Sequence, residues 1–168
     1  MTVLDLRSVR LRPGEEHRDE HDVEIAPVEL AGQRYVSVPE TVPAALTVSR
    51  ATTGTIFELA LHVRLHGPCF RCLGDAVVER DLRLREYQAE EPGGSEELAT
   101  PYVEANRLQL SDWARDALVL ALPAKILCRP DCAGLCPVCG EDLNRKPHEH
   151  EPEPDARWSA LAELRDRL

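Results

Sequence analysis

The longest regular pattern in this chain is strict alternation. In TIFELALHVRLH, Phe57, Leu59, Leu61, Val63 and Leu65 point one way, and Glu58, Ala60, His62, Arg64 and His66 point the other. A period of two over ten residues predicts an antiparallel strand with one face buried and one in water. A strand over about 44–53, with Ala44, Leu46 and Val48 in phase, precedes it, and Gly54 offers the turn between them. A third strand over about 75–88 alternates less cleanly through Val78, Leu82 and Leu84. Residues 3–9 read as a short first strand, and residues 24–38 as one or two more. The stretch 12–24, RPGEEHRDEHDVE, is charged and holds Pro-Gly, so it reads as a loop. His17, Asp19 and His21 then belong to a solvated loop rather than to a metal site, and His62 and His66 to the wet face of their strand.

Period two gives way after residue 88. Residues 89–106 contain Pro, two Gly, Ser and several Glu, the composition of an acidic connector. From about 109 to 122 the apolar spacing becomes three and four, through Leu110, Trp113, Ala114, Ala117, Leu118, Ala121 and Leu122. This predicts a helix with Ser111 as its N-cap and Pro123 as its stop. A last helix is expected from about Asp155 to Arg167, with Trp158, Leu161, Ala162 and Leu164 on one face. The fold class read from these elements is α+β: an antiparallel β-sheet or partly open barrel packed by one or two helices, with a C-terminal zinc-knuckle segment. The expected division is a β-rich core domain at 1–127 and a zinc-binding segment with the last helix at 128–168.

Cysteine spacing changes this picture most. Cys69 and Cys72 stand in GPCFRCLG, bracketed by Gly67, Pro68 and Gly74 at the tip of a predicted hairpin. Cys128, Cys132, Cys136 and Cys139 follow in CRPDCAGLCPVCG, with His148 and His150 shortly after. Thiolates and imidazoles in C-x2-C turns are the ligands Zn²⁺ prefers, and eight of them suit two tetrahedral ions. Three partitions are open. Cys69 and Cys72 can join Cys128 and Cys132, leaving Cys136, Cys139, His148 and His150 as a local second site. The two knuckles, Cys69-Cys72 and Cys136-Cys139, can instead combine as a ribbon. Finally, the four downstream cysteines can group together and strand the hairpin pair. The first is favoured: its second site closes only a short loop, and its first ties the sheet to the end of the core helix. Arg71 and Arg129 would flank that four-cysteine site and offset its excess negative charge.

Composition bounds the function. The chain has 168 residues and a formal net charge of −10, with only 4% aromatic residues. No apolar run approaches the ~20 residues that span a bilayer, and the N-terminus lacks a signal-peptide core. A cytoplasmic setting is expected, where thiols stay reduced. Eighteen arginines against two lysines suit a GC-rich bacterial genome. Closed four-ligand zinc sites are scaffolds, since a catalytic zinc keeps an open position. The zinc-deaminase order is reversed here, and no phosphate-binding or nucleophile-elbow motif is present. The reading is therefore of a non-enzyme without a small-molecule substrate.

The order of C-x-R-C-L at a hairpin tip, an acidic connector, a helix ending in L-x-L-A-L-P, then C-x3-C-x-G-L-C-P-x-C-G-x-x-L-N, resembles the YceD family. The closing Asp155, Arg157, Trp158 and Leu161 fit as well, so the resemblance runs from about residue 20 to 165. It implies a role in the accumulation of large-subunit ribosomal RNA and in ribosome biogenesis. Histidines stand at 148 and 150 where many members carry cysteines, and Ala156 where proline is frequent. A chain at −10 is repelled by naked phosphate backbone. The expected partner is accordingly a basic ribosomal protein or a large-subunit assembly intermediate. Ribosomal RNA is a direct alternative, with Arg80, Arg83 and Arg85 on the third strand as its candidate contacts, although a solvated strand face is the favoured reading of those three. A protein–protein adaptor unrelated to ribosomes is the third reading.

Overall fold

A computed structural model describes residues 1–90 and 98–150. The chain divides into two compact units, Met1–Cys132 and Ala133–Leu168. The first contains β1 (Val3–Asp5), a 3-10 turn (Leu6–Ser8), β2 (Glu16–Glu24), β3 (Val28–Leu30), β4 (Gln33–Ser37) and β5 (Thr41–Arg50). It continues with β6 (Gly54–Pro68), β7 (Asp75–Ala89), β8 (Val103–Glu104), β9 (Arg107–Gln109) and α1 (Leu110–Ala121). Six strands form one antiparallel sheet in the order β2-β5-β6-β4-β3, with β7 on the other side of β6. A small second sheet runs β1-β9-β8.

The alternation of β6 positions the core. Leu46 pairs with Leu59, Val48 with Phe57 and Ala44 with Leu61, so the buried faces of β5 and β6 coincide. Leu61 in turn meets Leu82 and Leu59 meets Leu84 on β7. Trp113, Ala114 and Leu118 of α1 join this cluster, and Tyr102 stacks on Trp113 at 6.1 Å between ring centroids. The α+β expectation of an antiparallel sheet with one helix therefore holds. The C-terminal helix expected from Asp155 lies outside the described residues, as does the connector segment 91–97.

Four sequence expectations are corrected. The stretch 12–24, which reads as a loop from its composition, turns only at Pro13-Gly14; Glu16–Glu24 is β2, paired with β5 over its whole length. It is an edge strand, and His17, Asp19 and His21 lie on the core side of the sheet, opposite Val48, Leu46 and Ala44. Charged residues there are a usual means of keeping an edge from pairing with another chain. The first strand ends at Asp5 rather than running to 9, because the Asp5 carboxylate accepts the Arg7 amide and starts a turn.

Ser111 is not the N-cap of α1. The helix begins at Leu110, after Gln109, without a side-chain cap. The Leu110 and Ser111 amides instead donate to the Thr2 carbonyl, and the buried Ser111 Oγ accepts the Thr2 amide at 2.8 Å. The N-terminus of the chain thus satisfies the helix donors that a local cap would have taken. Lastly, Arg80 does not share a face with Arg83 and Arg85. Arg80 lies on the helix side, where its Nε donates to the Ala121 carbonyl at 2.8 Å. The other two lie on the outer face, opposite Ala60 and Glu58.

Candidate metal centres

The β6–β7 hairpin carries Cys69 and Cys72 at its tip. Two main-chain bonds shape the turn, from the Cys69 amide to the Gly74 carbonyl and from the Leu73 amide to the Cys69 carbonyl. Leu73 adopts a left-handed backbone with φ of 60°. The segment after α1 comes to the same place: Pro123 stops the helix, Ile126 buries, and its carbonyl accepts the Phe70 amide at 2.8 Å. Lys125 Nζ sits 4.7 Å above the Phe70 ring. These contacts bring Cys128 and Cys132 over the hairpin tip.

The result is a four-thiol cluster. Cys69 Sγ lies 3.8 Å from Cys132 Sγ, and Cys72 Sγ lies 3.7 Å from Cys128 Sγ. All four sulfurs fall within 4.8 Å of one another. Disulfide sulfurs sit at about 2.05 Å, so these are free thiols. A tetrahedron of sulfurs around zinc, with bonds of about 2.3 Å, has edges of about 3.8 Å. The observed spacings match that edge. Cys69 and Cys132 are fully buried, whereas Cys128 is exposed.

Electrostatics in the cluster are uneven. Burial raises the Cys69 thiol, but the backbone amides of Cys72, Cys128 and Arg71 outweigh it and bring the thiol down to about 6. Cys128 is pushed up to about 12, by desolvation and by the neighbouring thiols of Cys132, Cys72 and Cys69. Four thiols in one place cannot all ionise without a cation among them. Arg71 contributes twice, through its amide 3.5 Å from Cys69 Sγ and through Nη1, which donates to the Cys132 carbonyl at 2.7 Å. Arg129 pairs with Asp131 at 3.3 Å.

The second unit holds the other four ligands. Leu135 bridges Asp142 in a short antiparallel turn, the Cys136 amide donates to the Glu141 carbonyl, and the Gly140 amide donates to the Cys136 carbonyl. Gly140 has φ of 75°, so each knuckle turns through a left-handed residue directly after its second cysteine. Asn144 Oδ1 accepts the Ala133 amide at 2.8 Å and closes the loop. His148 Nε2 lies 3.1 Å from Cys139 Sγ, and the His148 and His150 rings meet edge to face at 5.0 Å. Cys136, Cys139, His148 and His150 present ligand atoms within 4.8 Å of one another. The Lys146 carbonyl, 2.8 Å from His148 Nδ1, takes the proton on that nitrogen and leaves Nε2 with its lone pair toward the sulfurs. This same carbonyl, with Cys136 second, raises the His148 pKa. Amides of Cys139 and Val138, against a smaller opposing effect of burial, lower the Cys136 thiol to about 6.

The eight residues therefore form two groups, divided as in the first partition. Sulfur spacing, thiolate-stabilising amides and an oriented imidazole all fit a soft divalent cation. Among the described residues no other such group forms. His17 and His21 each approach Asp19, at 4.0 and 3.8 Å, as ordinary same-face neighbours along β2. His62 Nδ1 bonds Asp81 across the strands at 2.8 Å. No described helix is long and apolar enough to cross a membrane.

Known proteins resemble most of this chain. Uncharacterised proteins of Mycobacterium bovis and Mycobacterium tuberculosis are each 31% identical over 172 aligned residues, covering 98% of this chain and 81% of theirs. An uncharacterised protein of Mycobacterium leprae is 31% identical over 83% of this chain and 59% of its own length. No solved structure matches. Residues 57–165, which span both cysteine groups, match the family described as "Large ribosomal RNA subunit accumulation protein YceD". The chain belongs to the YceD family, whose name ties it to accumulation of the RNA of the large ribosomal subunit.

Proposed function

We propose that this protein is a non-enzymatic, cytoplasmic factor in biogenesis of the bacterial large ribosomal subunit. Two structural zinc ions complete its folding, one on four cysteines and one on two cysteines and two histidines. Its partner is a basic ribosomal protein or an assembly intermediate containing one. Family membership supports the ribosomal role, and the charge distribution supports the partner.

The observation that carries the partner is β2. Its outer face presents Glu16, Glu20, Asp22 and Glu24; Arg18 is paired with Glu16 at 2.9 Å and the Met1 ammonium with Glu24, so among the described residues Glu20 and Asp22 are its unpaired carboxylates. On a chain with net charge −10 this edge attracts a cationic surface and repels bare phosphate. Four-ligand sites leave zinc no open position for substrate, which supports scaffolding over catalysis.

A salt-dependent pull-down after ribonuclease treatment tests the proposal. A basic ribosomal protein should remain bound after ribonuclease and leave with rising salt. Recovery of large-subunit RNA that ribonuclease abolishes, with no protein left behind, would favour direct RNA binding instead. A deletion strain with normal ribosome profiles would end the ribosomal reading.

A further inference from the structure

One open end of the core face is lined by arginine, against the charge of the whole chain. A cavity of about 1020 Å³ opens between the N-terminal segment, the end of β5 and the start of β6. Arg7, Arg10 and Arg12 line it from one side and Arg50 from the other, with Glu15 and Glu90 as its carboxylates. Two of the four guanidinium groups are held. Arg7 is gripped by Asp5 at 2.6 and 2.9 Å, and Arg50 by Glu90 at 2.6 Å and Thr55 at 3.1 Å. Glu15 is committed to the Arg12 amide at 2.8 Å. Among the described residues, the side chains of Arg10 and Arg12 make no hydrogen bond or ion pair.

We propose that this cavity binds the phosphodiester backbone of a single-stranded RNA segment. The proposal rests on the ribosomal reading above and gives that reading its RNA contact, beside the protein contact at β2. Several physical features select the ligand class. Guanidinium groups recognise phosphate oxygens through paired N–H donors, and two groups unpaired among the described residues, two positions apart on one segment, suit successive phosphates. Phe57 is the single aromatic residue in the lining, and it is fully buried. Among the described residues no ring face of the lining is therefore free to stack a base, so the site grips backbone and does not read sequence. A nucleotide would leave its base ungripped. Leu6, Val9 and Leu11 pack against the core behind the arginines, which fixes the segment that carries them.

The test uses the full zinc-loaded chain and a fluorescein-labelled oligouridylate of roughly ten nucleotides, within the span of one single-strand site. Anisotropy is followed as salt rises. Wild type should bind at low salt. Arg10→Ala/Arg12→Ala should weaken binding at least about tenfold and flatten the dependence of log K on log salt by about 1.4, the loss of two phosphate contacts. Both residues are exposed, and unchanged zinc content and circular dichroism verify that the variant folds. Arg83→Ala/Arg85→Ala, on the outer face, should bind as wild type does. Absence of binding at low salt, equal affinity in the cavity variant, or equal loss in the outer-face variant overturns the proposal. So does competition by inorganic phosphate, uridine monophosphate or polyglutamate at matched charge, which would make the cavity a small-phosphate or general anion site. In cells, a cavity variant that fully complements an RNA-accumulation defect of the deletion strain overturns the RNA contact alone. A deletion strain without any defect overturns the ribosomal reading beneath it.

Discussion

Arg71 Nη1 donates a 2.7 Å hydrogen bond to the carbonyl of Cys132, a residue 61 positions further along the chain. That contact joins the hairpin tip to the last ligand of the four-cysteine group. Its amide, 3.5 Å from Cys69 Sγ, favours the thiolate on the other side. Arg71→Glu should lower zinc affinity at this site by about tenfold to a hundredfold, the range for lost outer-shell support. The lower end is expected, because the side chain is exposed. Arg71→Lys should fall between, keeping charge but losing the planar fork. Competition with a chromogenic chelator measures both, and unchanged affinity in Arg71→Glu would remove Arg71 from the site's support.

Metal content should follow the two spatial groups. The intact chain is expected to hold two zinc ions. Cys69→Ser should lose one and keep the other, and Cys139→Ser should do the same with the opposite site. Only the first should lower the melting temperature of the sheet-and-helix unit, since its ligands clamp β6–β7 to the segment after α1. Loss of both ions in either single variant would contradict the division seen here.

With zinc removed by a chelator, stability should be lost on both sides of pH 9. Cys69 has a folded pKa of about 6, below the ordinary 9.0 of a thiol. Its contribution is complete above pH 9 and fades as pH falls through 6. Cys128, raised to about 12, contributes fully below pH 9 and loses that contribution as pH rises through 12. The melting temperature of the apoprotein against pH should therefore peak near the ordinary thiol pKa, and in Cys69→Ser the acid-side decline should shrink. A decline of equal size in that variant would assign the pH dependence to other groups.

Arg80 should matter to stability where Arg83 and Arg85 do not. Its hydrogen bond to the Ala121 carbonyl satisfies an open acceptor at the end of α1 and places a cation at the negative end of the helix. Arg80→Ala should cost about 1–2 kcal/mol. Arg83→Ala should stay within about 0.5 kcal/mol, as surface changes do. Thermal denaturation distinguishes them, and equal effects would remove Arg80 from its capping role.

The parity that separates these arginines is present in the chain: Arg80 is in phase with Leu82 and Leu84, while Arg83 and Arg85 are out of phase. Alternation also made β6 legible, because one face of it is apolar over ten residues. β2 lacked that signal. Its core side carries His17, Asp19 and His21, and only its full pairing with β5 reveals a strand. The N-terminus of α1 was hidden for a related reason. A local rule selects Ser111, but the acceptor is Thr2, over a hundred residues away in sequence. Ligand identity was legible because spacing within each knuckle is local. The convergence of Cys69 and Cys72 with Cys128 and Cys132 depends on Ile126 docking against Phe70, which no spacing encodes.

Gly67 offers the sharpest test of how the sheet supports the four-cysteine site. A Cβ there would stand 2.3 Å from Tyr35 Cδ1 and 2.9 Å from the Arg34 carbonyl oxygen. Tyr35 is buried, and its hydroxyl donates to the Pro68 carbonyl at 2.8 Å, one residue before Cys69. With backbone on one side and a packed ring on the other, the added methyl has nowhere to go. Gly67→Ala should cost about 1–3 kcal/mol by overpacking and, by displacing Tyr35, weaken zinc retention at the hairpin tip. Gly140→Ala provides the contrast. Nothing lies within 4 Å of its would-be Cβ, but its φ is +75°, so the cost should be about 1–2 kcal/mol of backbone strain and confined to the second site. Zinc content and melting temperature of the two variants separate these effects. If Gly67→Ala kept both its stability and its zinc, the packing of Tyr35 would have no part in holding Cys69 in place.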